Sequence, residues 1–297
     1  MERALGRPGF SLHPESPCRA AGLAWAAFHA GSGRSAGAGR LAAAAVELFM
    51  NAAYLLDGLA DVAPTEAGSP ARGEDLAVAT ALLMCAGATA ARACDVAGAP
   101  SALTGLYESA LQACAGQLLD ALYEGSSGVT TDDALRMTSL KSGSIGRLAA
   151  GFGVRMATDD AALVSDVEDF GYNAFTFGQL IDDLRDASAP GPESDLGRNK
   201  KTVPLVYFRN SETDLDAAPA DPCNGRIDRD FVLRERYAGS GADLYGAVVA
   251  EALLNRAKGA IERLRRRDCP VECLERFVAT LEATTADALG HRFRARP

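Results

Sequence analysis

Lysine is scarce in this 297-residue chain. Only four of the 30 basic residues are lysines, at positions 141, 200, 201 and 258, so arginine is the default cation. Lysine is a compact point charge on a flexible stem, whereas arginine is a rigid planar fork. A chain that uses lysine so rarely is expected to place it where a point charge meets phosphate oxygens.

Paired cysteines and long apolar runs are also missing. The seven cysteines (18, 85, 94, 114, 223, 269 and 273) form no C-x-x-C pair, so the sequence predicts neither a zinc site nor a redox motif. The net charge of -9 argues against a nucleic-acid partner. The first residues lack the apolar run of a signal peptide, and the longest uncharged apolar run, 76–91, is shorter than the roughly 20 residues of a membrane span. We therefore expect a cytoplasmic protein without a transmembrane segment.

No stretch shows the alternation of apolar and polar residues that is typical of a β-strand. Apolar residues make up 48% of the chain and helical periodicity recurs throughout, which predicts an all-α fold. We expect one domain over residues 1–297, an antiparallel helix bundle with a central active-site cavity, in which residues 1–16 are irregular. The predicted helices cover about 20–29, 39–61, 74–97, 101–124, 159–187, 241–267 and 270–293, with further helices starting at 131 and near Pro204 and a surface loop over 212–229.

Three aspartates end the apolar stretch FTFGQLI. Asp182 and Asp186 are four residues apart and share one face of a helix, with Asp183 between them. Like charges at this spacing repel each other, so we expect a hard cation such as Mg2+ there, held together with substrate phosphates. A loop of about a dozen residues then delivers Lys200 and Thr202, and the lysine suits the phosphate oxygens that the metal leaves free.

An earlier stretch repeats this pattern. Residues 47–61, ELFMNAAYLLDGLAD, carry Asp57 and Asp61 four apart on one face of an apolar helix. One such pair arises easily by chance on a surface helix. Two pairs, both flanked by apolar residues, predict two helices that face each other across a cleft lined by carboxylates.

The stretch from Gln179 to Pro204, which is the second acidic region along the chain, resembles a region of the trans-polyprenyl synthetase superfamily. The family pairs a glutamine three residues before D-D-x-x-D with a later D-x-x-x-G-K-x-T-x-P, and Gln179 has this spacing. Asn199 stands where the family has glycine. The rest of the later motif is matched in register by Asp195, Lys200, Thr202 and Pro204.

The first region is a weaker match to the family. Glu47 lies ten residues before Asp57, as in the family, and Asp61 closes the motif, but Gly58 replaces its second aspartate. The pair Lys141-Ser142 is similar to the family's Lys-Thr pair. The resemblance covers about residues 35 to 265.

This resemblance implies a fold of the isoprenoid synthase type. It also implies an enzyme that ionises an allylic prenyl diphosphate with the help of three Mg2+ ions. It implies the metal ligands Asp57, Asp61, Asp182, Asp183 and Asp186. It implies diphosphate contacts from Lys141, Lys200, Arg72 and Thr202, with Lys141, Gln179 and Lys200 as the catalytic set. Family members are commonly homodimers, and the same is expected here.

The second-substrate site of the family, which holds isopentenyl diphosphate, is degraded in this chain. Met50 replaces a histidine, the stretch GSGRSAGAGR lacks the family's lysine, and the Arg-Arg-Gly after the first motif is reduced to Arg72-Gly73. Each charge-assisted contact is worth roughly 1.5–3 kcal/mol. We therefore hypothesise that the prenyl group goes to another, unidentified acceptor.

The small residue Ala53 lies four before Asp57, where bulky residues shorten products in the family, so a chain of fifteen or twenty carbons is favoured. Met50, Tyr54 and Phe177 are candidates for the rest of the cavity wall. Three alternatives stay open: a terpene synthase that cyclises the allylic diphosphate, an ordinary polyprenyl diphosphate synthase, and a non-catalytic partner subunit. Only 6% of the residues are aromatic, which favours transfer over cyclisation.

Overall fold

Helices account for the regular structure of the part of the chain that the computed structural model describes, residues 19–31, 35–60, 70–187, 194–211 and 229–289. No β-strand occurs in these ranges, which confirms the all-α prediction. A short π-helical segment spans Ser139–Gly143. The α-helices are α1 (Arg19–Ala30), α2 (Ala36–Ala60), α3 (Pro70–Ala97), α4 (Ala102–Glu124), α5 (Thr131–Thr138), α6 (Ser144–Arg155), α7 (Ala161–Ala187), α8 (Val203–Ser211), α9 (Arg229–Gly239), α10 (Ala242–Arg265) and α11 (Glu272–Leu289).

Local capping sets several helix ends. Thr130 and Asp133 form a reciprocal capping box at the start of α5. Asp160 accepts hydrogen bonds from the backbone N–H groups of Ala162 and Leu163 at the start of α7, at 2.9 and 3.1 Å. Gly98, with φ of +67°, ends α3 in the left-handed conformation that glycine adopts without strain. These ends follow from short sequence signals.

Two elements differ from the sequence predictions. Helix α9 lies directly after the predicted 212–229 loop and has no counterpart among the predicted helices. The π-helical segment interrupts what the periodicity predicts as one helix starting near residue 131. Residues 1–18, and most of the predicted loop, lie outside the described part of the chain.

The chain divides into two compact units, and the first comprises residues 1–110, 145–171 and 259–278. In this unit α2 packs along α3 and against α1. The approach of α1 to α2 depends on Gly39, because a Cβ there would lie 2.7 Å from the ring of Phe28. Phe152 and Phe170 are among its fully buried side chains.

The second unit comprises residues 111–144, 172–258 and 279–297. One of its cores surrounds the fully buried Leu205 and Phe208 on α8 and Tyr237 on α9. The hydroxyl of Tyr237 donates a 2.6 Å hydrogen bond to Asp243, which ties α9 to α10. The prediction that the whole chain is one domain stays a prediction.

Two of the described helices are long and apolar enough, by length and composition alone, to cross a membrane. They are the stretches Ala36–Ala60 and Arg72–Ala97. The core helix of a soluble protein passes the same test, so the predicted absence of a transmembrane segment stays a prediction.

Candidate active site

The second aspartate motif lies on α7, where its three carboxylates have different surroundings. Asp183 is buried and accepts a 2.9 Å hydrogen bond from Nε2 of Gln179. Asp182 is half-buried and forms a 2.8 Å ion pair with Arg185, and Asp186 is exposed. The helix therefore presents one buried carboxylate and two that are open to solvent.

Two carboxyl groups at or near this motif, those of Asp183 and Asp195, have raised pKa values. Burial raises the pKa of Asp183 to about 8, and the charges of Asp195 and Asp182 add to the shift. Burial also raises the pKa of Asp195 to about 6, with the charge of Asp186 adding to the shift and that of Lys200 opposing it. A cation bound among these groups would relieve both the burial cost and the mutual repulsion.

The donor set fits Mg2+ that is bound partly through a ligand. Among the described residues, no three Asp, Glu, His or Cys side chains converge closely enough to form a complete metal site. Mg2+ does not need such a cage, since it is usually held by one or two carboxylates together with substrate phosphates. Asp182, Asp183 and Asp186 are the residues of this unit that would hold it.

A single helical turn after the aspartate helix delivers the lysines. Ser194 accepts a hydrogen bond from the backbone N–H of Gly197 at 3.2 Å. At the other end, the N–H of Lys200 bonds to the carbonyl of Asp195 at 3.0 Å, and Asn199 adopts a φ of 59°. This is a Schellman ending, whose left-handed residue is usually glycine and sometimes asparagine. Asn199, at the position where the family has glycine, therefore adopts a conformation that glycine reaches without strain.

The side chains after this turn are buried and polar. Nζ of Lys200 forms a 2.5 Å ion pair with Glu124 at the end of α4, and Lys201 donates a 3.1 Å hydrogen bond to Asn199. Oγ1 of Thr202 is buried and has no hydrogen-bond partner within the described ranges. An orphaned buried hydroxyl is costly unless something binds to it. Thr202 thus fits its predicted role as a ligand contact.

Lys141 projects from the π-helical segment. Its Nζ forms a 2.7 Å ion pair with Asp120 on α4. The backbones are in close contact here, because a Cβ at Gly116 would lie only 2.2 Å from the backbone nitrogen of Lys141. π-helical turns are rare in proteins overall, but those that occur are often found at functional sites. Lys141 thus contacts α4 through both its side chain and its backbone.

A short relay connects this segment to the aspartate helix. Oγ of Ser142 donates to Oε1 of Gln179 at 2.9 Å, and Nε2 of the same amide donates to Asp183 at 2.9 Å. The Gln179 amide is therefore held at both ends. The contact uses only the hydroxyl group of Ser142, so serine can make it at the position where the family has threonine.

The first aspartate motif belongs to the first unit. Asp57 lies half-buried near the end of α2, and Asp61 lies outside the described residues. Nη2 of Arg72 donates a 3.0 Å hydrogen bond to the carbonyl of Leu59, so this arginine also holds the C-terminal turn of α2. The predicted meeting of the two motifs across one cleft, and the diphosphate contact of Arg72, stay predictions.

The predicted cavity residues have unequal exposure. Met50 is buried, Ala53 is half-buried, and Tyr54 is 56% exposed on α2. Phe177 is fully buried on α7. Tyr54 is therefore the more accessible of the two aromatic residues, and the place of all four residues in the cavity wall stays a prediction.

Sequence reasoning missed Asp120 and Glu124, the partners of the two lysines. They are four residues apart near the end of α4, the spacing that singled out the aspartates of α2 and α7. A search for carboxylates four apart on apolar helices would have found them. Their pairing with Lys141 and Lys200 could not be predicted, because the lysines lie 21 and 76 residues away.

Fold and site together define a helical protein in which one unit holds the aspartates of α7, the half-buried Lys141 and the buried Lys200, a combination suited to an anion held through a metal cation. The profile of the polyprenyl synthetase family matches residues 21–223, and the chain belongs to this family.

Named relatives agree with this assignment. The chain is 33% identical over 217 residues to a geranylgeranyl diphosphate synthase of Mycobacterium tuberculosis, which covers 67% of this chain and 62% of the relative. It is 29% identical over 203 residues to a geranylfarnesyl diphosphate synthase of Natronomonas pharaonis, covering 63% and 59%. The matches thus span less than two thirds of the length of these relatives.

Solved structures share the fold. A geranylgeranyl pyrophosphate synthetase from the archaeon Geoglobus acetivorans aligns with a TM-score of 0.75 at 18% identity, covering 91% of this chain and 87% of the other. A polyprenyl synthase from Caulobacter crescentus, solved with calcium and isoprenyl diphosphate, aligns with a TM-score of 0.73 at 20% identity, covering 92% and 85%.

Proposed function

We propose that this chain is a Mg2+-dependent prenyltransferase that ionises an allylic prenyl diphosphate of fifteen or twenty carbons and transfers the prenyl group to an acceptor. The observation that carries the proposal is the placement of Lys141, Lys200 and the Gln179–Asp183 hydrogen bond in one unit. Membership in the polyprenyl synthetase family and the names of the two relatives support it.

Several residues of the second unit bind the diphosphate in this proposal. Lys141 and Lys200 donate to its oxygens, and the hydroxyl of Thr202, which has no partner among the described residues, hydrogen-bonds to it as well. Asp182, Asp183 and Asp186 would hold Mg2+, of which three ions are expected, and the metal would supply positive charge against the diphosphate leaving group. Gln179 is held at both ends of its amide and orients the diphosphate or stabilises the allylic cation.

The acceptor is expected to differ from isopentenyl diphosphate. The support is Met50, a buried apolar side chain where the family places a histidine, together with the missing lysine before α2. Ordinary chain elongation is the second candidate, and it is favoured by the relatives, both of which are named prenyl diphosphate synthases.

Product analysis separates these candidates. The purified protein is incubated with Mg2+ and allylic diphosphates of ten, fifteen and twenty carbons, with and without isopentenyl diphosphate. Longer diphosphates formed only with isopentenyl diphosphate establish elongation and refute the altered acceptor. Release of a hydrocarbon or alcohol from the allylic substrate alone indicates a cyclase-type enzyme. A protein that binds Mg2+ and diphosphate without turnover is one that needs another acceptor or a partner subunit.

The lysine roles have a matched control within the chain. Lys141→Met and Lys200→Met each remove a charge-assisted contact, and we expect kcat/KM to fall at least about tenfold. Lys258 forms an exposed ion pair with Glu282, so Lys258→Met should leave turnover unchanged. Full activity of Lys141→Met would refute its role at the diphosphate.

We further propose that the protein is a homodimer. Leu111, Leu118 and Leu122 on α4 are 69%, 61% and 58% exposed, and their spacing places them on one side of the helix. An apolar stripe of this kind is typical of an interface. Light scattering should give twice the mass of the chain, and Leu118→Glu should give a monomer. A dimer that survives Leu118→Glu would place the interface elsewhere.

A further inference from the structure

The ion pair between Lys141 and Asp120 is shielded from solvent. The side chains are 24% and 11% exposed, and the Nζ to Oδ2 distance is 2.7 Å. Such a short contact between charged groups is a strong hydrogen bond. Exposed ion pairs elsewhere in the second unit, such as Lys258 with Glu282 at 42% and 44%, do not have this protection.

The backbone places Asp120 for this contact. Gly116 touches the main chain of Lys141, and Asp120 is one helical turn further along the same face of α4. A side chain at 116 would push the π-helical segment away, since a Cβ there would meet the Lys141 nitrogen at 2.2 Å. The contact of the two backbones therefore sets the distance that the ion pair spans.

Asp120 also lies within electrostatic reach of the acidic motif. Its charge is one of those that raise the pKa values of Asp183 and Asp195, after burial as the main cause. Asp120, and with it the ammonium group that it binds, therefore belongs to the same part of the second unit as the motif.

We propose that Asp120 is a positioning residue that orients the ammonium group of Lys141 before the diphosphate binds. An untethered lysine side chain samples many rotamers, and fixing it during binding weakens affinity. An ammonium has three N–H donors, so Lys141 keeps its bond to Asp120 while it donates to phosphate oxygens. This inference rests on the proposed function of Lys141.

The test is a double-mutant cycle on binding, measured by calorimetry with Mg2+ and farnesyl thiodiphosphate, an analogue that ionises poorly. Asp120→Asn is isosteric, keeps an acceptor oxygen and removes the charge. We expect it to raise Kd about tenfold, the factor for the loss of one charge-assisted interaction. In a Lys141→Met background the same substitution should change Kd less than about twofold, because Asp120 acts through Lys141. Glu282→Gln, which breaks an exposed ion pair of the same unit, is the control and should leave Kd unchanged.

Steady-state kinetics and thermal unfolding complete the test. If Asp120 only stabilised the fold, Asp120→Asn would lower Tm and leave Kd and KM unaltered, and the proposal would be wrong. Equal effects of Asp120→Asn with and without Lys141 would also overturn it. A Lys141→Met variant with wild-type Kd and turnover would instead show that the proposed diphosphate site is misplaced, which separates the two failures.

Discussion

The buried carboxyl of Asp183 should make the metal-free protein less stable as the pH rises. Its pKa is about 8 in the folded chain, against 3.8 for the ordinary group. Between these values the folded state keeps a proton that the unfolded state has lost, so the free energy of unfolding falls from about pH 4 to about pH 8. Above pH 8 the full cost of the buried charge is present.

The magnitude follows from the shift. The difference of about 4 pH units, 8 minus 3.8, corresponds to about 6 kcal/mol at 1.36 kcal/mol per unit. This is an upper limit, since any local opening that admits water lowers the cost. For a chain of this size each kcal/mol changes Tm by about 2 °C.

Asp183→Asn removes the titrating group and keeps an oxygen acceptor for Gln179. Thermal unfolding is followed from pH 5 to pH 9 in the presence of a chelator. We expect Tm of the wild type to fall by several degrees more than that of the variant across this range. With Mg2+ and pyrophosphate present, only the wild type should gain stability. Parallel Tm curves for the two proteins would refute the assignment of a buried, protonated Asp183.

Other substitutions test local features. Hydrogen bonds from Thr130 lower the pKa of Asp133, so Asp133→Asn should reduce Tm at neutral pH. The difference in Tm should vanish as the pH falls below this lowered pKa. An unchanged Tm at pH 7 would contradict the capping box. Asn199→Gly should retain activity. Asn199→Val should lose about 1 kcal/mol or more of stability in chemical denaturation, because a β-branched residue resists a φ of 59°. Equal stability of both variants would argue against the left-handed turn. Gly116→Ala should impair diphosphate binding by displacing Lys141, measured as a higher KM with unchanged secondary structure by circular dichroism; wild-type KM would show that the π-helical segment adapts.

Much of the second motif is predictable from the sequence because it depends on local properties. The spacing from Gln179 to Thr202 requires only that an apolar helix be followed by a loop and a turn. The same holds for the capping residues Asp133 and Asp160, whose partners lie within three residues. Asn199 departs visibly from the glycine of the family, and asparagine is among the few residues other than glycine that readily adopt its φ of 59°.

The sequence by itself determined the helical class and the family, and it singled out the candidate aspartates and lysines, because periodicity and motif spacing involve residues that are near each other in the chain. Tertiary structure alone decided which carboxylate is buried and which partner each lysine has. Asp183 differs from Asp182 and Asp186 only through its surroundings, and Lys141 meets Asp120 because a glycine on α4 lets two backbones touch. Burial and long-range pairing depend on packing between helices, and the pattern within any one helix does not contain them.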